Sequence, residues 1–289
     1  MFAGNVANFG NAITAPRTIT MNNPQTLGTI NFSNSVAYTI AGTNTITLQT
    51  STGQSAINVT SGNHTISAPL TLASDTTISV AANSSVSLTG NLAATGRTIT
   101  KTGQGAAIVQ NIKANALNIT GGVVRATSGT SSLGSLSIAS GSALDLTNNA
   151  LTIAYSSLGS LLTDTRNQLL DGRLTTSSSA GGHALGYADN GSNILIQYAC
   201  AGDANLDGKV NALDFNALST GYGSGSFWTE GDFNYDGVID TRDFAVLAAN
   251  FNHALPAGLT AVVPEPAMGF LLLATTVIAL RRTVANLKV

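Results

Sequence analysis

Short runs in which every second residue is apolar recur through the first half of the chain. Thr-Ile19-Thr-Met21, Ile30-Asn-Phe32, Ile46-Thr-Leu48 and Ile57-Asn-Val59 each place two apolar side chains on one face. That is the pattern of a strand buried on one side only. From Leu70 the spacing becomes regular. Leu70/Leu72, Ile78/Val80 and Val86/Leu88 follow at steps of eight residues, as do Leu136/Ile138 and Leu144/Leu146, with Leu151/Ile153 after them. Gly, Asn, Ser and Asp fill the gaps, as turns require. Two architectures produce many short strands at such spacing, an antiparallel sandwich and a parallel β-helix. The small Thr, Asn and Ser side chains stack readily from coil to coil, and aromatic anchors are nearly absent from residues 50–150. Both features favour a right-handed parallel β-helix, or solenoid, over residues 1–155.

The period then changes. Leu158, Leu161, Leu162, Leu169 and Leu170 fall at helical spacing, and Gly172 supplies a stop. Residues 156–201 therefore read as a closing segment: a helix to cover the open end of the solenoid, then one or two strands, His183–Asp189 and Ile194–Tyr198, joined by an Asp-Asn-Gly turn.

Residues 202–252 carry one pattern twice, offset by 29 positions. The first copy is Asp203-Ala-Asn205-Leu-Asp207-Gly208-Lys209-Val210-Asn211-Ala212-Leu213-Asp214. The second is Asp232-Phe-Asn234-Tyr-Asp236-Gly237-Val238-Ile239-Asp240-Thr241-Arg242-Asp243. Oxygen-bearing side chains stand at positions 1, 3, 5, 9 and 12, with Gly at 6 for the sharp turn. This is the layout of a calcium loop, because Ca²⁺ prefers several hard oxygen ligands at flexible distances. Each loop is expected to hold one Ca²⁺, with the backbone carbonyls of Lys209 and Val238 at position 7. Clustered carboxylates repel one another, so metal is expected to order the segment. Phe215, Leu218 and Tyr222 follow the first loop, and Phe244, Leu247 and Phe251 the second, at i, i+3, i+7. That spacing predicts two helices, with these residues packed into a core.

Composition narrows the function. Only 9% of residues are charged and the net charge is −2, which gives no electrostatic attraction to nucleic acid. Eight of the 14 acids lie in the calcium-loop segment, and residues 1–155 hold only Asp75 and Asp145. Glycoside cleavage needs two carboxyl groups flanking the bond. With these two far apart, and read as solvated surface groups, the solenoid is expected to be non-catalytic. His64, in Gly-Asn-His-Thr, reads as a turn residue without a partner. Cys200 is the lone cysteine, so no intrachain disulfide can form. Residues 1–8 lack a basic and then apolar leader, and the natural start is expected to lie upstream.

Three stretches resemble known families. Thr98-Ile-Thr-Lys101-Thr-Gly103-Gln-Gly105, with Leu117-Asn-Ile119-Thr-Gly121-Gly122-Val123-Val124, is similar to the autotransporter-associated β-strand repeat, which implies a secreted, passenger-like solenoid. The duplicated loop followed by an exiting helix only, with Asp at position 12, resembles the type I dockerin module. That resemblance implies two bound Ca²⁺ and docking to a cohesin-like module. It also implies that positions 10 and 11, here Ala212-Leu213 and Thr241-Arg242, help to choose the partner. After a linker over 253–263 come Pro264-Glu265-Pro266, the apolar run Ala267–Leu280, and Arg281-Arg282. At ~1.5 Å per residue the run spans roughly 21 Å, short of a ~30 Å hydrocarbon core. The basic pair reads as cytoplasmic, with the bulk of the chain outside. The tail over 264–289 resembles the PEP-CTERM sorting signal, implying an inner-membrane intermediate that an exosortase-type enzyme processes. The expectation is an exported bacterial surface or matrix protein with a structural, adhesive or anchoring role. The alternative is a dockerin-bearing component of polysaccharide degradation, whose β-helix binds or cleaves an extracellular glycan.

Overall fold

The computed structural model describes residues 3–178 and 181–256. The Pro-Glu-Pro motif, the apolar run and Arg281-Arg282 lie outside them. Among the described residues no helix is long and apolar enough to cross a membrane.

The alternating segments form a parallel β-solenoid of about seven turns. One ladder runs through strands Val6–Phe9, Thr29–Ser33, Ser55–Ser61, Thr76–Val80, Leu92–Thr102, Lys113–Ile119, Thr130–Ile138 and Ala150–Ala154. A second runs through Arg17–Thr20, Tyr38–Ala41, Asn63–Ile66, Ser85–Leu88, Ala106–Val109, Val123–Ala126, Ala143–Asp145 and Leu174–Thr175. In the early coils Gln25–Leu27, Ile46–Leu48 and Leu70–Leu72 make a third face, which merges into the first at Leu92–Thr102. The eight-residue step is now explained. Leu70, Ile78 and Val86 lie on the third, first and second faces in turn, so the step is a walk around one coil.

A full coil is longer. Ile30, Ile57, Ile78, Lys101, Ile119 and Ile138 sit on one another in register at offsets of 27, 21, 23, 18 and 19 residues. Each buried isoleucine adds about 1.5–3 kcal/mol over an exposed one. Lys101 is the exception in this row. It is completely buried, and its Nζ donates to the carbonyls of Thr102 (2.8 Å), Gly103 (2.8 Å) and Gly121 (3.0 Å), tying one coil to the next. Burial lowers its pKa to about 8. Outside, Asn8, Asn31 and Asn58 form a ladder in which each amide donates to the previous side-chain oxygen, at 2.8 and 2.9 Å.

Two sequence expectations fail here. Asp145 is not a solvated surface group: it is buried and accepts from Arg125 Nε at 2.7 Å. Burial alone would raise its pKa, but the guanidinium and the N–H groups of Thr147 and Ser177 hold it below the usual carboxylate range. His64 is not in a turn. It lies in a strand, buried, stacked on Phe32 at 4.5 Å, with Nδ1 accepting from Tyr38 N–H at 3.1 Å. Asp75 accepts the Thr98 N–H at 2.9 Å.

The closing segment differs in part from its expectation. The helix α1 (Leu161–Leu170) buries Leu169 but leaves Leu170 exposed. It is the hairpin His183–Asp189/Asn193–Cys200 that ends the sheet. Its second strand pairs antiparallel with Ala150–Ala154, so the parallel ladder stops there.

Candidate functional site

Strand Asn193–Cys200 runs almost directly into the first loop, without an entering helix. Helix α2 (Ala212–Gly221) leaves that loop and helix α3 (Thr241–Ala249) leaves the second. Both loops take the same path. Position 4 (Leu206, Tyr235) and position 6 (Gly208, Gly237) have positive φ values, between 61° and 86°. A side chain in that region costs about 1–3 kcal/mol unless packing holds it. Leu206 is held by burial.

The loop side chains satisfy the backbone first. Asp203 accepts from Asp207 and Gly208 N–H at 3.1 and 2.8 Å, and Asp214 from Ala204, Asn205 and Asn211 N–H at 2.9, 3.3 and 2.8 Å. In the second loop Asp243 accepts from Phe233, Asn234 and Asp240 N–H at 2.8, 3.2 and 3.0 Å. Asn205, Asp207, Asn234 and Asp236 close Asx turns two residues on. Asn211 and Asp240 cap α2 and α3, with Asp214 and Asp243 completing capping boxes. The Asp at position 12 is therefore also a helix-starting residue, which accounts for its burial.

Asp203, Asp214, Asp232 and Asp243 are all fully buried. Burial pushes Asp203 up to about 7 against the opposing Gly208 N–H bond, with Asp214 and Asp207 adding repulsion. Burial likewise pushes Asp232 up to about 6, and raises Asp214. Asp232 Oδ1 is buried without a hydrogen-bond partner. Such an oxygen is costly when charged and unpaired, and a cation at the loop centre would satisfy it. Among the described residues no three carboxylate, imidazole or thiol groups converge as they would around a bound ion. Calcium, however, also draws on amide and backbone carbonyl oxygens, which these loops supply at positions 3 and 7 and, in the first loop, at position 9 (Asn211). The donor set and the orphaned oxygen fit Ca²⁺. Lys209 and Val238 are exposed at position 7, and Asp207 and Asp236 lie near the surface.

The two helices correct the core expectation. Only Leu218 and Leu247 of each triplet are buried. Phe215, Tyr222, Phe244 and Phe251 are 43–50% exposed, and the Phe215 and Phe244 rings meet edge to face at 6.4 Å. Phe215 and Phe244 are displayed near the starts of the two matched helices, and Tyr222 and Phe251 stand exposed just past their ends. Ala212, Leu213, Thr241 and Arg242 lie exposed on the first turns, and Arg242 reaches Asp236 at 3.4 Å.

Sequence reasoning missed how the module is fixed to the solenoid. Trp228, fully buried, donates through Nε1 to the Asp203 carbonyl at 2.7 Å, stacks on Tyr235 at 5.7 Å and meets Phe233 edge-on at 5.2 Å. Tyr235 Oη donates to the Leu185 carbonyl (2.9 Å), Gln197 Nε2 to the Leu206 carbonyl (3.2 Å), and Arg166 Nη1 to the Ser226 carbonyl (3.0 Å). Gly186 faces this cluster because nothing larger fits. After α3 the chain returns: Val210 N–H donates to His253 O at 2.9 Å, and Leu255 N–H to Gly208 O at 2.8 Å. Cys200 is buried at this junction, and burial, with the nearby Asp203 and Asp214 carboxylates, pushes its thiol up to about 11.

Fold and site together define a parallel β-solenoid ending in a duplicated calcium-loop module. Residues 201–252 match the family described as Dockerin type I domain. Domains of that family typically bind Ca²⁺, their partner is a cohesin, and they mark extracellular or cell-surface proteins. No curated protein and no solved structure matches the chain.

Proposed function

We propose that this chain is a non-catalytic, exported surface or matrix component of a bacterium, which loads two Ca²⁺ and docks a cohesin-type module through the aromatic face of α2 and α3. The observation that carries the reading is the exposed quartet Phe215, Tyr222, Phe244 and Phe251 on a segment matching the dockerin family. The paired rings of Phe215 and Phe244, with exposed Leu213 and Arg242 on the same helices, have the composition of an interaction hot spot. The non-catalytic part rests on the acids of the solenoid. Asp75 and Asp145, the acids of residues 1–155, are both engaged in holding coils together, which supports a solenoid whose own acids do not form a pair for glycoside cleavage. The sorting tail supports the surface location by its sequence alone, with exosortase-type processing at Pro264-Glu265-Pro266.

A panel of type I cohesin modules, titrated calorimetrically with the full chain, tests the reading. Binding should require Ca²⁺, and Phe215→Ser with Phe244→Ser should weaken it at least a hundredfold, since two buried aromatic anchors are each worth about 2 kcal/mol. Retention of full affinity by that double variant would refute the assigned face. Release of reducing ends from pectin, alginate or cellulose would refute the non-catalytic role.

A further inference from the structure

The three long strands of the first ladder turn a corner. Pairing slips between Ala94 and Thr98, and the next ladder lapses at Asn115 opposite Gly134. Gly134 is pressed so closely on its neighbour that a Cβ there would stand 2.6 Å from the Asn115 carbonyl. Two hollows meet at Gly134. One, about 380 Å³, is lined by Thr95, Lys113, Asn115 and Ser132. The other, about 700 Å³, is lined by Ser135, Leu136, Tyr155, Ser160 and Asp164 and is closed at its end by the start of α1.

Tyr155 is the only Phe, Tyr or Trp between Tyr38 and Tyr187, and it stands in this groove. Its hydroxyl donates to Asp189 Oδ1 at 2.5 Å, which fixes the ring at the groove wall. Ser160 Oγ holds one oxygen of Asp164 at 2.7 Å, leaving the other for a ligand hydroxyl. The remaining groups are neutral hydroxyls, one amide and the apolar side chains of Leu136, Ile153, Leu158 and Leu161, with a single ammonium (Lys113) at the far end. A groove with so little charge does not suit a polyanion. A peptide adding as a strand would need an open edge, and these walls are interior strands already paired on both sides. A fixed aromatic ring beside hydroxyl, amide and carboxylate groups suits a ligand with apolar C–H faces and hydroxyl rims.

We infer that this groove binds a neutral polysaccharide chain, lying along the solenoid axis with one sugar against Tyr155. Coils rise about 4.8 Å each, so the four strands crossed present ~14 Å of groove, the length of roughly three linked sugars. The inference does not depend on the docking role and would survive its failure.

The test is native affinity electrophoresis of the full chain in gels containing hydroxyethylcellulose, xylan, galactomannan or laminarin. At least one should retard the protein. Tyr155→Ala should weaken that retardation roughly tenfold, as loss of one stacked ring implies, and Asn115→Ala should weaken it less. Tyr155→Phe keeps the ring and should stay within about threefold of the parent, and it carries the test should the alanine variant fold poorly. Tyr222→Ala, on the module, should change nothing. No retardation by any of the four polymers would overturn the inference. So would retardation unaffected by Tyr155→Ala, or retardation lost equally with Tyr222→Ala.

Discussion

Replacing Gly186 with alanine should loosen the first calcium loop from a position outside it. The new Cβ would lie 2.3 Å from Leu206 Cδ2, 2.7 Å from Trp228 Nε1 and 2.9 Å from Trp228 Cε2. The leucine tip can swing aside. The indole cannot do so freely, since it is fully buried between Tyr235 and Phe233. Overpacking of this kind costs about 1–3 kcal/mol. If the indole tilts, the bond from Nε1 to the Asp203 carbonyl is lost as well, another ~1 kcal/mol. The alanine restricts the unfolded chain and offsets at most about 1 kcal/mol. The net is near 2 kcal/mol, and Asp203 and Leu206 are where it falls. Calorimetric titration with Ca²⁺ should show one of two sites weakened about tenfold, equivalent to ~1.4 kcal/mol, with a lower denaturant midpoint. Gly191→Ala, at the hairpin turn with φ 82° and nothing within 4 Å, is the control. It should destabilise the turn without changing calcium affinity. Unchanged affinity at both sites in Gly186→Ala, with an unchanged midpoint, would refute the bracing of the loop by the hairpin.

Two further outcomes concern the solenoid itself. Lys101→Met should destabilise by about 3 kcal/mol, because one buried and two partly buried carbonyls lose their donor. Burial lowers the folded pKa of Lys101 to about 8, below the ordinary lysine value of 10.5. In that window the unfolded chain binds the extra proton, so parent stability should rise relative to the variant as pH rises from about 8 to 10.5; a flat difference in urea midpoints would contradict this. Arg125→Ala should cost about 1–2 kcal/mol, because the arginine is half-exposed although its partner Asp145 is buried. Asp145's lowered pKa contributes stability above the usual carboxylate range that is lost as pH falls through the lowered value, so the acid-unfolding midpoint of the variant should move upward.

The strand ladder was legible because a half-buried strand must alternate, and Ile30, Ile57 and Ile78 obey that rule coil after coil. Lys101 was not, since a charged residue in an inward row is decided by carbonyls from the neighbouring coil, which sequence spacing does not reveal. His64 and Asp145 were misread for the same reason: their partners lie 26 and 20 residues away. The family match over residues 201–252 was legible from the oxygen pattern of the two loops. The helices were only half so. An i, i+3, i+7 row says that Phe215, Leu218 and Tyr222 share a side, but burial is decided by what packs there. The chain covers Leu218 and leaves both rings open. Trp228, with no repeat partner and no periodic neighbours, carried no signal of its role.

The strand-to-loop junction at Cys200–Asp203 leaves no swivel between rod and grip. A tethered module on a flexible leader lets its cargo sample every direction, whereas under the proposed docking a partner on α2 and α3 would also set the heading of about seven stacked coils. On a crowded surface such molecules would stand at one common tilt, each turning the same flank outward. The direction in which the coils are displayed is then a property written into the fold, rather than one left to thermal wandering.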